Sequence, residues 1–279
     1  MLLGRFLVME LNGSVAPVIT LLTDFGSADA YVGCMKGVIL NICPHARVID
    51  VSHGLPKFNI QYGAFILMQV FRYFPNGTIH VAVVDPGVGT RRRPLVIETK
   101  RYFFVGPDNG VLTLAASEDG IKRVVEITSK RYMLSGPSKT FAGREIFAPV
   151  AAHIAMGVPL REIGPKVDRF QVLSTLKPKA AEDHVVGEVF VVDSFGNLIM
   201  NIRPSDFGRR VDPGRLLRVE IRGVARDIPF VSTYGDVGRG QALALVGSSG
   251  FIEIDINQGN ASRVFKVRQG TPVKITFSS

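Results

Sequence analysis

From residue 17 onward, short apolar runs alternate with longer stretches of helical period. Residues 18–22 are apolar apart from Thr20 and run into Asp24-Phe25-Gly26, a pattern that predicts a buried strand ending in a turn. A helical stretch over 30–41 is closed by Pro44, and residues 47–51 predict a second strand that stops at His53-Gly54. A second helix is expected over 60–74, ended by Pro75-Asn76-Gly77, and a third strand over 79–84 precedes the sharp turn Asp85-Pro86-Gly87-Val88-Gly89. Residues 94–99 and 102–105 read as a hairpin leading into Pro107-Asp108-Asn109-Gly110. Strands alternating with helices predict a parallel or mixed sheet with helices on its faces, where ligands collect beyond the carboxyl ends of strands. Asp24, Asp85 and Asp108 all fall at such ends.

Near residue 174 the pattern breaks into a polar stretch containing lysine and proline, which has linker composition. Beyond it, the apolar segments 185–193, 216–221, 242–246, 251–256 and 273–277 are short and separated by glycine-rich turns, the profile of a small β-barrel or sandwich. The expected organisation is a loose N-terminal extension over 1–16, an α/β domain over 17–173, a linker over 174–184 and an all-β barrel or sandwich domain over 185–279.

Composition narrows the class of protein. With 46% hydrophobic and 20% charged residues in 279, a disordered chain is excluded. Cys34 and Cys43 cannot make a disulfide framework, which favours a reduced, cytoplasmic setting. No apolar run reaches the roughly 20 residues of a membrane span, and Glu10 and Asn12 interrupt what would be a signal peptide. The net charge of +9 raises the question of a nucleic-acid partner, but the basic runs Arg91-Arg92-Arg93 and Arg209-Arg210 are short and no aromatic-rich RNA-binding signature accompanies them. No nucleic-acid partner is expected.

His53, His80 and His153 show no paired metal-ligand spacing, so no metal is expected, and no Lys-Ser/Thr pair follows Gly87 and Gly89 to make a phosphate loop. Each strand-end aspartate is either an ordinary turn former or a ligand contact. Ser248-Ser249-Gly250 offers hydroxyls and backbone N–H groups to a carboxylate, or forms a hairpin turn. Phe58, Phe195 and Tyr234 either pack in the core or stack on a flat base.

Six blocks in one order resemble the S-adenosylmethionine hydroxide adenosyltransferases, the family related to the fluorinase and chlorinase. They are Thr23-Asp24-Phe25-Gly26; Val83-Val84-Asp85-Pro86-Gly87-Val88-Gly89-Thr90 with Arg92; Pro107-Asp108-Asn109-Gly110; Thr140-Phe141-Ala142-Gly143-Arg144-Glu145; Asp193-Ser194-Phe195-Gly196-Asn197; and Gly247-Ser248-Ser249-Gly250-Phe251 with Glu253. The resemblance implies an α/β domain followed by a β-barrel, and a homotrimer whose active sites lie where one subunit's N-terminal domain meets its neighbour's C-terminal domain. It also implies attack of water on the ribose C5′ of S-adenosylmethionine, giving adenosine and methionine, with no cofactor.

The sulfonium leaves as a neutral thioether, so that reaction needs no general acid at the leaving group; it needs a placed nucleophile. The resemblance assigns this to Asp85 and Arg92. It assigns Asp24 to the ribose hydroxyls, Asp29 and Asp193 to the methionine ammonium, and Ser248 and Ser249 to the methionine carboxylate. Phe195, Asn197 and Tyr234 fall to the adenine and Phe58 to the ribose and sulfonium, while Phe25, Asp108, Asn109, Gly143 and Glu253 join the substrate-contacting set through their blocks. One position departs. Where these hydrolases usually read Phe-His-Gly-Arg, this chain has Phe141-Ala142-Gly143-Arg144, and Ala142 can neither donate a hydrogen bond nor carry a proton, so reduced turnover is expected. A halide-using enzyme is the nearest alternative, disfavoured because the carboxylate of Asp85 repels a halide; a protein that binds S-adenosylmethionine or adenosine without turnover is the other.

Overall fold

The computed structural model of the protein describes residues 16–135, 140–173, 177–208 and 211–277. Most of the expected N-terminal extension, residues 1–15, and residues 174–176 of the expected linker lie outside the described residues. The chain divides into two compact units that meet in sequence between Gln171 and Val172.

The first unit is built on a six-stranded mixed sheet. β1 (Val18–Thr23), β2 (Arg47–Ser52), β3 (Ile79–Val83) and β5 (Phe103–Pro107) run parallel in the order β2-β1-β3-β5, and β4 (Pro94–Thr99) and β6 (Ile121–Glu126) add an antiparallel edge. β1 and β3 are buried almost throughout, as continuous apolar strands covered on both faces must be. Period-2 alternation divides their side chains. Ile19, Leu21, Val81 and Val83 share one apolar cluster with helices α1 (Tyr31–Ile42) and α4 (Ala148–Ala155). α2 (Ile60–Val70) packs on α3 (Thr113–Asp119).

Local chemistry sets the helix boundaries. α1 buries Val32, Met35 and Ile39, spaced along one helical face, and Pro44 follows its C-cap. Asn59 caps α2 by accepting from the Tyr62 N–H at 2.9 Å. Where a helix to residue 74 is expected, the α-helix gives way at Phe71 to a 3₁₀ turn over Phe71–Tyr73. β6, α3 and a short strand over Leu198–Met200 in the second unit carry no distinct sequence signal and appear only in the structure.

The second unit is a closed barrel. β8 (His184–Val192), β9 (Leu198–Met200), β10 (Arg215–Ile221), β11 (Val224–Phe230), β12 (Ala242–Val246), β13 (Ile252–Ile256) and β14 (Pro272–Phe277) pair in the circular order β14-β10-β11-β12-β13-β9-β8, and the β14–β8 pairing closes the ring. Closure removes the exposed edges an open sheet of this size would leave. Its interior is aliphatic, with Val189, Leu198, Leu217, Ile228, Ile254 and Ile275 among the buried residues. Within the stretch expected as linker, β7 (Lys179–Ala180) pairs antiparallel with β8. No helix among the described residues is long and apolar enough to cross a membrane.

A histidine lies in the core of the first unit. His80 is fully buried on β3, its Nδ1 is 2.8 Å from the Thr20 hydroxyl, and its ring is stacked on Phe104 and met edge-on by Phe74 and Tyr102. Burial pushes its pKa down to about 3. The unfolded chain takes up that proton near pH 6.5, so the stability tied to His80 is whole above that pH and is lost as pH falls towards 3, at up to about 1.4 kcal/mol per pH unit. Thermal unfolding followed from pH 7 to pH 4 is expected to show a steeper loss of melting temperature for the parent protein than for His80→Phe; parallel curves would contradict this assignment.

Candidate active site

β1, β3 and β5 are adjacent and parallel, so Asp24, Asp85 and Asp108, which follow their last residues, lie along one edge of the sheet. The fold gives each a different partner. Asp85 Oδ1 accepts from Arg92 Nε at 2.9 Å and Oδ2 accepts from Arg92 Nη2, a bidentate pair with both side chains largely out of solvent. The intervening turn is held by Val88 N–H to the Asp85 carbonyl at 3.2 Å and by the Thr90 hydroxyl to the Gly87 carbonyl at 2.7 Å. The Arg92 guanidinium also lies 5.3 Å above the Phe147 ring, which fixes its plane.

Asp24, 6% exposed, accepts from the Phe58 N–H at 2.8 Å, and its backbone carbonyl receives Lys57 Nζ. Phe58 is itself strained, with φ 64° and a ring 69% exposed. A bulky residue in the left-handed region with its ring in solvent marks a position shaped for something other than packing. Asp108 is instead consumed by the fold. Arg93 Nη2 donates to Oδ2 at 2.6 Å and the Gln171 N–H to Oδ1 at 2.7 Å, while neighbouring Asn109 ties β5 to β3 through the Val84 carbonyl at 2.8 Å.

Above Asp85 opens a cleft of about 160 Å³ lined by Phe25, Tyr31, Val83, Asp85, Val88 and the segment 140–143. Phe141 meets Phe25 and Tyr31 edge-to-face, and Phe25 and Tyr31 are tilted at 56°, with centroids 5.1 to 5.8 Å apart. Gly143 packs closely here. A Cβ would fall 3.0 Å from Met35 Sδ and 3.1 Å from the Phe141 ring, tighter than ordinary contact. From Gly143 to Phe147 the chain makes a π turn into α4, whose Pro149 has no N–H to offer the preceding turn. Ala142 is buried and presents only a methyl group to the cleft.

The second unit gathers a different set. Asp193 accepts from the N–H groups of Phe195 and Asn197, both at 2.9 Å, and from Asn197 Nδ2 at 3.0 Å. Asn197 Nδ2 also reaches the Tyr234 hydroxyl at 3.2 Å, and that hydroxyl donates to Asp255 at 2.7 Å. Glu253 is buried against the Gly247 turn, where a Cβ would fall 1.7 Å from its Oε1, so a side chain at 247 would displace the Glu253 carboxyl. Burial, reinforced by Asp255 and Asp193, pushes Glu253 up to about 7, and burial pushes Asp255 up to about 6 against the pull of the Tyr234 hydrogen bond.

A model of the S-adenosylmethionine hydroxide adenosyltransferase N-terminal domain matches residues 19–164, and one of the C-terminal domain of the same family matches residues 187–274. The chain belongs to the S-adenosylmethionine hydroxide adenosyltransferase family. It is 38% identical to a protein named (R)-S-adenosyl-L-methionine hydrolase from Salinispora tropica, over 93% of this chain and 98% of that one. It is 28% identical to a fluorinase from an Actinoplanes species, over 96% and 99%. A crystal structure of an uncharacterized conserved protein from Thermotoga maritima superposes with a TM-score of 0.87 at 40% identity, covering 92% of this chain and 99% of that one.

In this member of the hydroxide adenosyltransferase family, Phe25, Asp85 and Gly143 line the cleft, and Arg92 holds Asp85 from beside it. Asp24 lies on the same sheet edge, whereas Asp29 is exposed and Asp108 and Asn109 are engaged in bonds within the fold. In the barrel, Asp193, Asn197, Tyr234 and Glu253 converge, Phe195 is 75% exposed, and the Gly247–Phe251 turn carries Ser248 and Ser249, the latter with a buried hydroxyl free of partners. Sequence reasoning missed Tyr31, Asp255 and His53. Tyr31 opens α1 outside the matching blocks, and Asp255 follows Glu253 by the same alternation that buries both. His53 sits between the Thr23 hydroxyl, 2.9 Å from Nδ1, and Asp50, 3.0 Å from Nε2, and so braces the loop that carries Asp24. Its place at the end of β2 was the available signal.

A carboxyl held above its ordinary pKa contributes stability at low pH that disappears as pH rises through the folded value. Glu253→Gln is therefore expected to unfold at a higher temperature than the parent at pH 8, by roughly 1–3 kcal/mol, and to show no such advantage at pH 5. A variant destabilised equally at both pH values would show that the side chain is needed for its shape instead.

Proposed function

We propose that this protein hydrolyses S-adenosylmethionine to adenosine and methionine through water held at Asp85. The observation that carries the reading is the bidentate Asp85–Arg92 pair at the base of an aromatic-walled cleft. Arg92 occupies both carboxylate oxygens from one side in a fixed plane, leaving the outer lone pairs of Asp85 to accept a hydrogen bond from a water in the cleft. Water so placed can approach C5′ in line with the breaking C–S bond while Asp85 receives its proton. The electron pair of that bond leaves on a neutral thioether, so no acid is needed at the sulfur. Asp24, with its outer oxygen available, suits two vicinal hydroxyls, and Phe58 offers its exposed face to the ribose and sulfonium.

The barrel residues are assigned to the remaining parts of the substrate. Asn197 and Tyr234, with Phe195, take the adenine; Asp193 takes the methionine ammonium; Ser248 and Ser249 take its carboxylate. The family's homotrimer joins these to the Asp85 cleft of a neighbouring subunit, which accounts for two sets of side chains on separate compact units. A cytoplasmic location is part of the same reading.

Ala142 stands where the family's hydrolases usually carry histidine, and its methyl group on the cleft wall offers the attacking water no hydrogen bond. Turnover is expected to be slower than with histidine by about 10²- to 10⁴-fold. Halide use is the weaker reading, because a halide entering the cleft meets the Asp85 carboxylate.

Incubation with S-adenosylmethionine in chloride-free buffer is expected to yield adenosine and methionine in equal amounts by chromatography, faster from Ala142→His and roughly 10²-fold or more slower from Asp85→Asn. A 5′-halogenated nucleoside on adding halide would move the assignment to halide transfer, and bound but unconverted substrate would reduce the protein to a binder. Mixed trimers of Asp85→Asn and Asn197→Ala subunits are expected to regain activity that neither variant has alone, since some interfaces then combine two intact halves. Failure of the mixtures while each parent trimer forms would remove the shared site.

A further inference from the structure

The barrel holds a second constellation with no part in the adenosyl chemistry. The β10–β11 hairpin turns through Arg222 and Gly223, and Arg222 lies in the left-handed region at φ 54°. Lys266, just past the short helix α6 (Ala261–Phe265), adopts the same conformation at φ 53° and ψ 46°. Glycine and asparagine are the residues that tight hairpins and helix C-caps favour at such positions, because a Cβ there crowds the backbone. The two strained cations are neighbours in space: Arg222 Nη1 donates to the Lys266 carbonyl at 2.9 Å.

Three clefts, of about 340, 610 and 230 Å³, meet at Arg222. Their walls add Arg226, Arg268 and Lys274 to Arg222 and Lys266, against a single carboxylate, Glu220. Among the described residues, none of these five cations has a carboxylate within ion-pair distance, although Arg218 beside them is paired with Asp227. The one aromatic ring on the walls, Phe265, has the Arg226 guanidinium 5.3 Å from its centroid. Concentrated cationic charge and donors from two guanidinium-bearing walls fit a ligand recognised by its phosphates.

We propose that this end of the barrel binds a small multivalent phosphate anion, such as a polyphosphate chain or the phosphate tail of a nucleotide. Backbone strain at two adjacent positions, each occupied by a cation, is the pattern of a site kept for binding at some cost to the fold.

The test uses the strain. Titration calorimetry of the full chain with tripolyphosphate is expected to show saturable binding that weakens with added salt. The double variant Arg222→Asn with Lys266→Gly removes both charges and gives each position a residue its backbone accepts, so a roughly tenfold or greater rise in Kd is expected together with an unchanged or higher melting temperature. Turnover of S-adenosylmethionine should be unaffected. Lys130→Gln with Arg161→Gln, an equal loss of charge on exposed residues of the other unit, should leave the Kd unchanged. No binding, or an equal loss of affinity in that control, would overturn the site. Binding of a single-stranded RNA oligomer with tripolyphosphate silent would overturn the assignment to a small anion. If the first variant melts lower, Arg226→Gln with Arg268→Gln decides: retained affinity there overturns the proposal and weakened affinity supports it.

Discussion

A carboxylate withdrawn from water must be met by a cation or by hydrogen-bond donors, and three adjacent parallel strands of this protein each run out onto one. The sheet edge is organised by how that demand is answered. Asp108 is answered completely, by Arg93 and a backbone N–H, and so becomes part of the fold. Asp24 is answered by a backbone N–H on one oxygen and keeps the other. Asp85 is answered in one plane by Arg92, so its charge is oriented and its remaining lone pairs face the cleft. The same residue type at equivalent positions is thus fully bonded within the fold in Asp108, half-bonded in Asp24 and gripped from one side in Asp85.

The barrel answers the demand differently. Asp193, Glu253 and Asp255 share one region with donors from the backbone, Asn197 and Tyr234, but no lysine or arginine is bonded to any of them among the described residues. Burial first, and repulsion between neighbouring carboxylates second, raises the pKa values of Glu253 and Asp255 towards neutrality. A cluster of this kind is better stabilised by a ligand that brings a cation.

Backbone strain follows a similar division. Of the non-glycine residues with positive φ, Phe58 stands beside Asp24, while Arg222 and Lys266 touch each other at the barrel end. None of the three lies in either apolar core. The positive-φ strain at these three residues sits where side chains face solvent or a cleft.

The alternation of apolar runs and turn residues was enough to predict an α/β unit followed by a small barrel or sandwich, because buried parallel strands and short β-domain strands leave strong apolar signals at regular spacing. The strand-end aspartates and the ordered blocks around them likewise marked Asp85, Arg92 and Asn197 along the chain. What one dimension could not show is which carboxylates were already spoken for. Asp108 and Asp85 have the same sequence context, a strand end followed by a turn, and differ only in that Arg93 and Gln171 fold back onto the one while Arg92 grips the other from its side. The Thr23–His53 contact, the Tyr234–Asp255 bond and the meeting of Arg222 with Lys266 join residues 21 to 44 positions apart. Such contacts depend on register, sheet order and barrel closure, which only the tertiary structure decides.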